Sequence, residues 1–275
     1  LERLVTELEI KGPCWLDIIG AEPAESGVSY CQHEYTVNMS SMKGIKVVTN
    51  SANITPPPIS ILCFNILTVL NEKEKERQIV MISMLYNESC SLERPQLDGG
   101  HLKRFCFLAP LKGHTLPFNL DQTLKQRQIS TLVKVVADER TLLNAFLATL
   151  TNINPDLLIA HDWQTQAKDL ISRIEKYKLK NWSQLSRLKR NAELSKIGRS
   201  KSFQWEITAG RPCLDLKSAA AELVKSKTYE MDELVEQLIK PQDSKKARIN
   251  LSLEQISEVF TYVLFFNVVQ CAQNF

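Results

Sequence analysis

The chain lacks the sequence patterns of several common kinds of site. Its seven cysteines are scattered without any Cys-x-x-Cys spacing, and its four histidines form no cluster. A zinc site and a disulfide framework are therefore disfavoured, and a reducing compartment is expected. Only nine glycines occur, and the pair Gly99 and Gly100 lacks the context of a phosphate-binding loop or a dinucleotide fingerprint. No apolar run approaches the ~18 residues that span a bilayer, so we expect no membrane contact.

The excess of positive charge is also small. A net charge of +3 over 275 residues is too small to predict nucleic-acid binding by itself. The distribution is uneven, because the basic run from Arg173 to Lys201 holds ten Lys and Arg residues and two acids. Such a run is typical of a local basic patch. Taken alone, it is better explained as a solvated surface than as a binding site.

At 275 residues the chain is long enough for one large domain or two ordinary ones, and its apolar content of 44% is normal for a packed protein. The polar, proline-rich segment Ser51–Pro58 is the best candidate for a domain boundary. Before it, the pattern predicts a helix over Leu1–Ile10, a strand from Cys14 and irregular β-structure. We expect residues 1–57 to be the end of a partial, β-rich N-terminal domain and residues 58–275 to form the main domain, within a longer protein.

Strand and helix patterns follow one another through residues 58–275. Ile59–Leu70 is an apolar, β-branched run behind three prolines and predicts a buried central strand, with Gln78–Tyr86 as its hairpin partner. Asp138 is placed to cap the helix that follows it. Further strands are predicted at Phe105–Leu108, Leu132–Val136, Leu157–His161 and Cys213–Leu216, and further helices at Ala167–Ile174, Ser218–Lys225, Tyr229–Ile239 and Leu253–Cys271. This order predicts an α/β fold with a mixed sheet flanked by helices.

A family resemblance rests on several short stretches that keep the same order and comparable spacing as in the family. They are residues 10–16 (IKGPCWL), 55–58 (TPPP), 139–143 (ERTLL), 154–161 (NPDLLIAH), 182–183 (WS), 187–190 (RLKR), 210–215 (GRPCLD), 222–223 (EL), 227–229 (KTY) and 233–235 (ELV). On these stretches the chain resembles the catalytic subunits of eukaryotic DNA polymerase alpha, a branch of the B-family polymerases. The resemblance covers the end of the N-terminal domain and the exonuclease-like domain. It implies a ribonuclease-H-like fold of the 3′–5′ exonuclease type.

In the proofreading exonucleases of the family that this chain resembles, three motifs hold two metal ions. These are an Asp-x-Glu motif in a strand, an Asn-x-x-x-Phe-Asp motif and a Tyr-x-x-x-Asp motif in a helix. Two Mg²⁺ ions need several carboxylate ligands. The matching positions here are Asn65, Leu67, Ala167 and Asn267, with Gln166 in place of Ala167 if the second motif is shifted by one residue. None of them is an acid. The resemblance therefore implies vestigial positions with no catalytic residue, no metal and no cofactor in this chain.

Acidic residues near, but not at, the matched positions leave one alternative open, an active nuclease. An active 3′–5′ exonuclease could use Asp162, Asp169 or Asp215, although Asp169 lies about 200° around the helix from Ala167. Asp215 and His161 are better explained as hydrogen-bonded structural residues. A second alternative is a protein-interaction module that makes no contact with nucleic acid.

The resemblance also implies a nuclear parent protein that extends RNA–DNA primers on a DNA template. Its partners would be the primer-template, primase and accessory polymerase subunits. The Mg²⁺-dependent polymerase site is not in this chain, so we expect neither polymerase nor nuclease activity from the chain alone. In this context the basic run becomes a candidate for contact with phosphates. Its candidate nucleic-acid-binding residues are Arg187, Lys189, Arg190, Arg199 and Lys201.

Overall fold

The computed structural model divides the chain into two units, Leu1–Pro58 and Ile59–Phe275. The structure describes residues 2–12, 14–25, 27–37, 44–49, 54–71, 73–91, 102–116, 118–120, 122, 132–191, 194 and 203–238. The assignment of residues 1–57 to an N-terminal polymerase domain stays a prediction, because the division concerns packing alone. Within the described part of the chain, no helix has both the length and the apolar character needed to cross a membrane.

The first unit consists of one short helix and two small antiparallel sheets. Helix α1 is Glu2–Glu7, and the strands are β1 (Leu16–Ile18), β2 (Glu22–Pro23), β3 (Tyr35–Thr36) and β4 (Ile45–Val47). β1 pairs with β4 and β2 with β3. The helix is shorter than predicted because Glu9 adopts a left-handed conformation, with φ 51°. The strand predicted from Cys14 begins at Leu16.

The second unit contains a six-stranded mixed sheet. Its strands are β5 (Ile59–Asn71), β6 (Glu76–Cys90), β7 (Leu102–Leu108), β8 (Leu132–Val135), β9 (Leu157–Ala160) and β10 (Cys213–Asp215). They lie in the order β10-β9-β5-β6-β7-β8. The β5–β6 and β6–β7 pairs are antiparallel, and the other pairs are parallel. The predicted hairpin and mixed sheet are confirmed.

Helices follow the strands as the pattern predicts. They are α2 (Glu139–Ile153), α3 (Trp163–Lys176), a 3₁₀ helix (Lys180–Leu185), α4 (Phe203–Glu206), α5 (Leu216–Leu223) and α6 (Met231–Leu238). Asp138 caps α2 as predicted, accepting a hydrogen bond of 2.7 Å from the Thr141 backbone N–H. The strand predicted to end at Leu216 ends at Asp215, because Asp215 caps a helix that starts two residues before the predicted Ser218. The helix predicted at Leu253–Cys271 lies outside the described residues.

One face of the sheet packs against α2 and α3. Alternate residues of β5, namely Leu62, Phe64 and Ile66, point into this core. The Phe64 ring lies 5.8 Å from the Phe146 ring and 5.5 Å from the Trp163 ring, the latter edge-on. Each such buried side chain contributes about 1.5–3 kcal/mol to folding. This packing holds α3 against β5 and thereby positions the residues of the candidate site.

A buried ion pair also positions α3. The Arg173 guanidinium donates to the Glu139 carboxylate through Nε (2.7 Å) and Nη2 (2.6 Å). The same carboxylate accepts from the Ile79 backbone N–H and the Tyr177 hydroxyl. Residues from β6, α2 and α3 therefore meet at one carboxylate. Arg173, the first residue of the basic run, is turned inward by this contact.

Candidate functional site

The site lies where β5 and β9 separate. These parallel strands pair only from Ile61 to Cys63 on β5. Beyond this point β9 ends and the chain turns through His161 and Asp162 into α3. Ligands in sheets of this kind bind outside the carboxyl ends of parallel strands. Asn65 lies two residues beyond the last paired residue, at the expected location.

The side chain of Gln166 faces Asn65. Its amide nitrogen donates to Asn65 Oδ1 (3.1 Å) and to the backbone oxygen of His161 (2.6 Å). Its amide oxygen accepts from the Ile66 backbone N–H at 3.0 Å. Because β9 has ended, this N–H has no partner strand on that side, and Gln166 satisfies it. We call these contacts the amide bridge between β5 and α3.

Ala167, which matches the second exonuclease motif when the motif is not shifted, is instead fully buried in the apolar core. Gln166 and Asn65 are thus the pair that the structure brings together. Leu67 packs against a second apolar cluster on the other sheet face, which includes Val69 and Val80. Asn267 lies outside the described residues.

Asp215 is the most heavily engaged of the three candidate acids. Its carboxylate accepts backbone N–H bonds from Asp162 (2.9 Å), Trp163 (3.0 Å) and Lys217 (3.0 Å). Asp162 is the N-cap of α3, Trp163 is its first residue, and Lys217 lies in the first turn of α5. One carboxylate therefore stabilises the N-termini of two helices. This agrees with the structural role expected for Asp215.

Asp162 and Asp169 bind different partners. Asp162 accepts from the Thr165 hydroxyl at 3.0 Å, and its other oxygen lies 3.7 Å from Lys217 Nζ. Asp169 lies 3.5 Å from both the Thr68 hydroxyl and Arg77 Nη1. Among the residues that the structure describes, no three or more His, Cys, Asp or Glu side chains are grouped to hold a metal ion.

The donor set around Asn65 does not fit a two-metal site. Its side chains are two neutral amides, and the amide N–H groups of Gln166 already point at Asn65 Oδ1 and the His161 backbone oxygen. His161, at the end of β9, donates from Nε2 to the Tyr229 backbone oxygen at 2.8 Å. It therefore ties the segment before α6 to the same turn.

The basic run divides into buried and exposed residues. Arg187 Nη2 donates to Asp156 Oδ1 at 2.7 Å and to the Asn154 and Pro155 backbone oxygens at 3.2 Å each. Lys189 is exposed and Arg190 is half-buried. The other two candidates, Arg199 and Lys201, lie outside the described residues. The prediction that the run contacts nucleic acid stays a prediction.

Arg211 is an organising residue that the sequence reasoning missed. It is completely buried and donates to the backbone oxygens of Pro155 (3.2 Å), Gln184 (3.0 Å) and Leu185 (3.1 Å) and to Asn154 Oδ1 (3.0 Å). Arg211 belongs to the Gly-Arg-Pro stretch that carries the family resemblance, but no role was predicted for it. Gln166 was named only as a shifted alternative.

The two cysteines nearest the site are unsuited to nucleophilic chemistry. Burial raises the pKa of Cys63 to about 11. Burial, assisted by the Asp215 charge, raises the pKa of Cys213 to about 12. Since the thiolate is the reactive form, both thiols are inert at neutral pH.

Comparisons with known proteins identify the family of the chain. The family described as DNA polymerase family B, exonuclease domain, matches residues 1–234. The chain is similar to DNA polymerase alpha catalytic subunits from Xenopus laevis (31% identity over 87% of this chain), Mus musculus (27% over 96%) and Drosophila melanogaster (29% over 91%). It spans only 16%, 18% and 16% of the lengths of these relatives.

These matches confirm the resemblance found in the sequence. The mixed sheet flanked by helices is consistent with the ribonuclease-H-like exonuclease fold that the resemblance implies. The chain belongs to the B-family DNA polymerases, through their exonuclease domain.

Proposed function

We propose that the chain provides a DNA polymerase of the alpha type with an exonuclease-like domain that does not hydrolyse DNA. The amide bridge carries this proposal. A two-metal hydrolase needs carboxylates that hold two divalent ions beside the scissile phosphate. Here Gln166 directs its amide N–H groups at Asn65 Oδ1 and the His161 carbonyl, so these oxygens are occupied by a neutral donor. The domain braces the polymerase without cutting.

The names of the relatives support a proposal for the activity of the longer protein. They are named as DNA polymerase alpha catalytic subunits. We infer that the parent protein works in the nucleus, extends RNA–DNA primers on a DNA template, and assembles with primase and accessory polymerase subunits. Its nucleotidyl transfer would use Mg²⁺ at a polymerase site outside this chain.

A nuclease assay tests the central claim. The purified 275-residue chain is incubated with a 5′-labelled single-stranded oligonucleotide and Mg²⁺ or Mn²⁺, beside a proofreading exonuclease as positive control. We expect no shortened product beyond that of the protein-free reaction. Metal-dependent shortening that Asp162→Ala abolishes would contradict the proposal and favour the displaced-acid exonuclease.

A second function, contact with template through the basic run, is supported by the position of Lys189 and Arg190. Both residues follow the 3₁₀ helix in sequence, and Lys189 is exposed to solvent. Basic side chains of this kind contact phosphates without sequence preference. The pair variant Lys189→Ala/Arg190→Ala should weaken binding to primed template in a salt-dependent manner. Unchanged affinity would instead support a protein-interaction module without nucleic-acid contact.

A further inference from the structure

Helix α5 is amphipathic, but its apolar side is incompletely covered. Four of its apolar residues share one side of the helix because they follow the spacing i, i+3, i+4 and i+7. They are Leu216, Ala219, Ala220 and Leu223. No residue of α5 is buried, and Leu223 is 83% exposed. Leu214 on β10, two residues before the helix, is 41% exposed. We call these five residues the α5 apolar surface.

The short length of α5 gives this incomplete cover its importance. The helix has eight residues, whereas isolated helices shorter than about 12–15 residues are marginal in water. In proteins, the packing of an apolar side supplies most of the stability of a helix. Asp215 stabilises the start of α5 by accepting a hydrogen bond of 3.0 Å from the Lys217 backbone N–H. Because the part of the chain that the structure describes leaves the α5 apolar surface half-open, we expect a further element to pack on it.

The sequence contains an apolar segment shortly after α6. Residues 253–271, for which the apolar spacing predicts a helix, have two acids, Glu254 and Glu258, and no Lys or Arg. We call these residues the apolar segment. Its eleven residues 259–269 (VFTYVLFFNVV) carry no charge, and they are fewer than the ~18 that span a bilayer. Because a helix that is apolar all round is buried, the expected partner of this segment is an apolar surface of a protein.

We propose that the apolar segment packs on the α5 apolar surface and covers it. Each of the two elements presents apolar side chains that are stable only when another apolar surface removes them from water. The match to the family model ends at residue 234, so the pairing rests on the residues of this chain rather than on the family. It is also independent of the proposed function.

The connection between the two elements favours the chain's own segment as the occupant. Lys217 Nζ of α5 donates to the Glu230 carboxylate, directly before α6, at 3.0 Å, so the two helices begin close together. The fourteen residues 239–252 after α6 can span up to about 50 Å, whereas α5 is about 12 Å long. A segment on such a tether reaches its site at an effective concentration in the millimolar range. A second copy of the chain or a separate protein has no such advantage.

Hydrogen exchange of the full 275-residue chain, followed by mass spectrometry of its peptides, tests the contact. In the unsubstituted protein, residues 259–269 should exchange at least about tenfold more slowly than the same residues in urea-unfolded protein, corrected for the intrinsic rates. This protection should be equal at about 1 and about 50 µM protein, because an intramolecular contact does not depend on concentration.

The variant Leu214→Gln/Leu223→Gln makes the surface polar at its two most exposed positions. It should raise the exchange rate of residues 259–269 at least about fivefold. The matched control is Leu132→Gln/Val135→Gln, which changes two exposed apolar residues of β8 at the opposite edge of the sheet. The control should leave that exchange rate unchanged.

A reciprocal variant examines the same contact from the other side. Phe260→Gln/Leu264→Gln should raise the exchange rate of α5 by a similar factor, because a contact that protects one element also protects its partner. The exchange of α2 should stay unchanged in every variant, which establishes that the sheet and its core remain folded.

Three results would overturn the proposal. Residues 259–269 could exchange without protection, which would mean that they pack on nothing in this chain. The two Leu-to-Gln sites and the β8 control could have equal effects, which would indicate a general loss of stability. Protection could rise with protein concentration, which would assign the surface to a second copy. None of these results bears on cleavage, so the proposed function stands or falls separately in the nuclease assay.

Discussion

Replacing Gln166 with Glu exchanges an amide nitrogen for a carboxylate oxygen with almost no change in size. The substituted atom now faces two oxygens, Asn65 Oδ1 and the His161 carbonyl, which lie 3.1 and 2.6 Å from the original nitrogen. Neither oxygen can donate a hydrogen bond. The contact from the Ile66 backbone N–H survives, because either carboxylate oxygen can accept it.

The magnitude follows from the bonds that are lost. Each of the two hydrogen bonds donated by Gln166 is worth about 0.5–1.5 kcal/mol, and the charged oxygen adds repulsion from two acceptors. We expect Gln166→Glu to lower the free energy of unfolding by about 2–4 kcal/mol. The control Gln164→Glu places the same charge at an exposed position in the first turn of α3. There an acid is neutral or slightly favourable, so the change should stay within about 0.5 kcal/mol.

The assay is urea unfolding followed by fluorescence at several pH values. The protonated carboxyl of the new Glu can donate to the His161 oxygen, so its folded-state pKa should rise above the ordinary ~4.3. The native state then binds more protons than the unfolded state. The stability loss should therefore shrink as the pH falls from 7 towards ~4.3. Equal stability of the two Glu variants at pH 7 would refute the amide bridge as described.

Three further predictions concern the supports of the site. Glu139→Gln removes the buried counter-ion of Arg173, which keeps only the more exposed carboxylate of Glu76. The change should cost about 3–5 kcal/mol in urea unfolding, whereas adding Arg173→Met should recover at least half of that loss. Exposed Cys31 should react with a thiol reagent at pH 8 within minutes, while buried Cys213, with its pKa raised to about 12, should react only after unfolding. Burial raises the pKa of Asp156, but hydrogen bonds from its neighbours outweigh this and hold the pKa below its ordinary value. Its contribution is therefore present above pH ~3.9 and is lost as the pH falls through the folded pKa, so Asp156→Asn should be less stable at neutral pH and show a shallower acid transition.

Much of the sheet could be predicted because its signals are local. The β5–β6 hairpin follows from two apolar runs around a charged turn, and the start of α2 follows from Asp138 as a cap. The end of β10 could not be predicted in the same way. Asp215 closes that strand, caps α5 and binds the N-terminus of α3, and the last contact joins residues more than fifty positions apart.

Local sequence patterns also did not predict which cations turn inward. A basic run indicates exposed charge, yet Arg173 and Arg187 turn inward to carboxylates supplied by distant elements. Arg211 is buried among backbone oxygens that come together only when the turn before β9 meets the 3₁₀ helix. The exposure of a basic residue depends on which partners the fold brings near, and a single sequence does not contain that information.

The sequence by itself determined that no acid occupies the matched metal positions, because residue identity alone decides whether a side chain can ligate Mg²⁺. Only the tertiary structure decided which side chain of α3 faces Asn65. Neighbouring residues on a helix point about 100° apart, so a shift of one residue exchanges a core position for a site position. The packing of α3 against β5 turns Ala167 into the core and Gln166 towards Asn65, where its amide joins the strand to the helix.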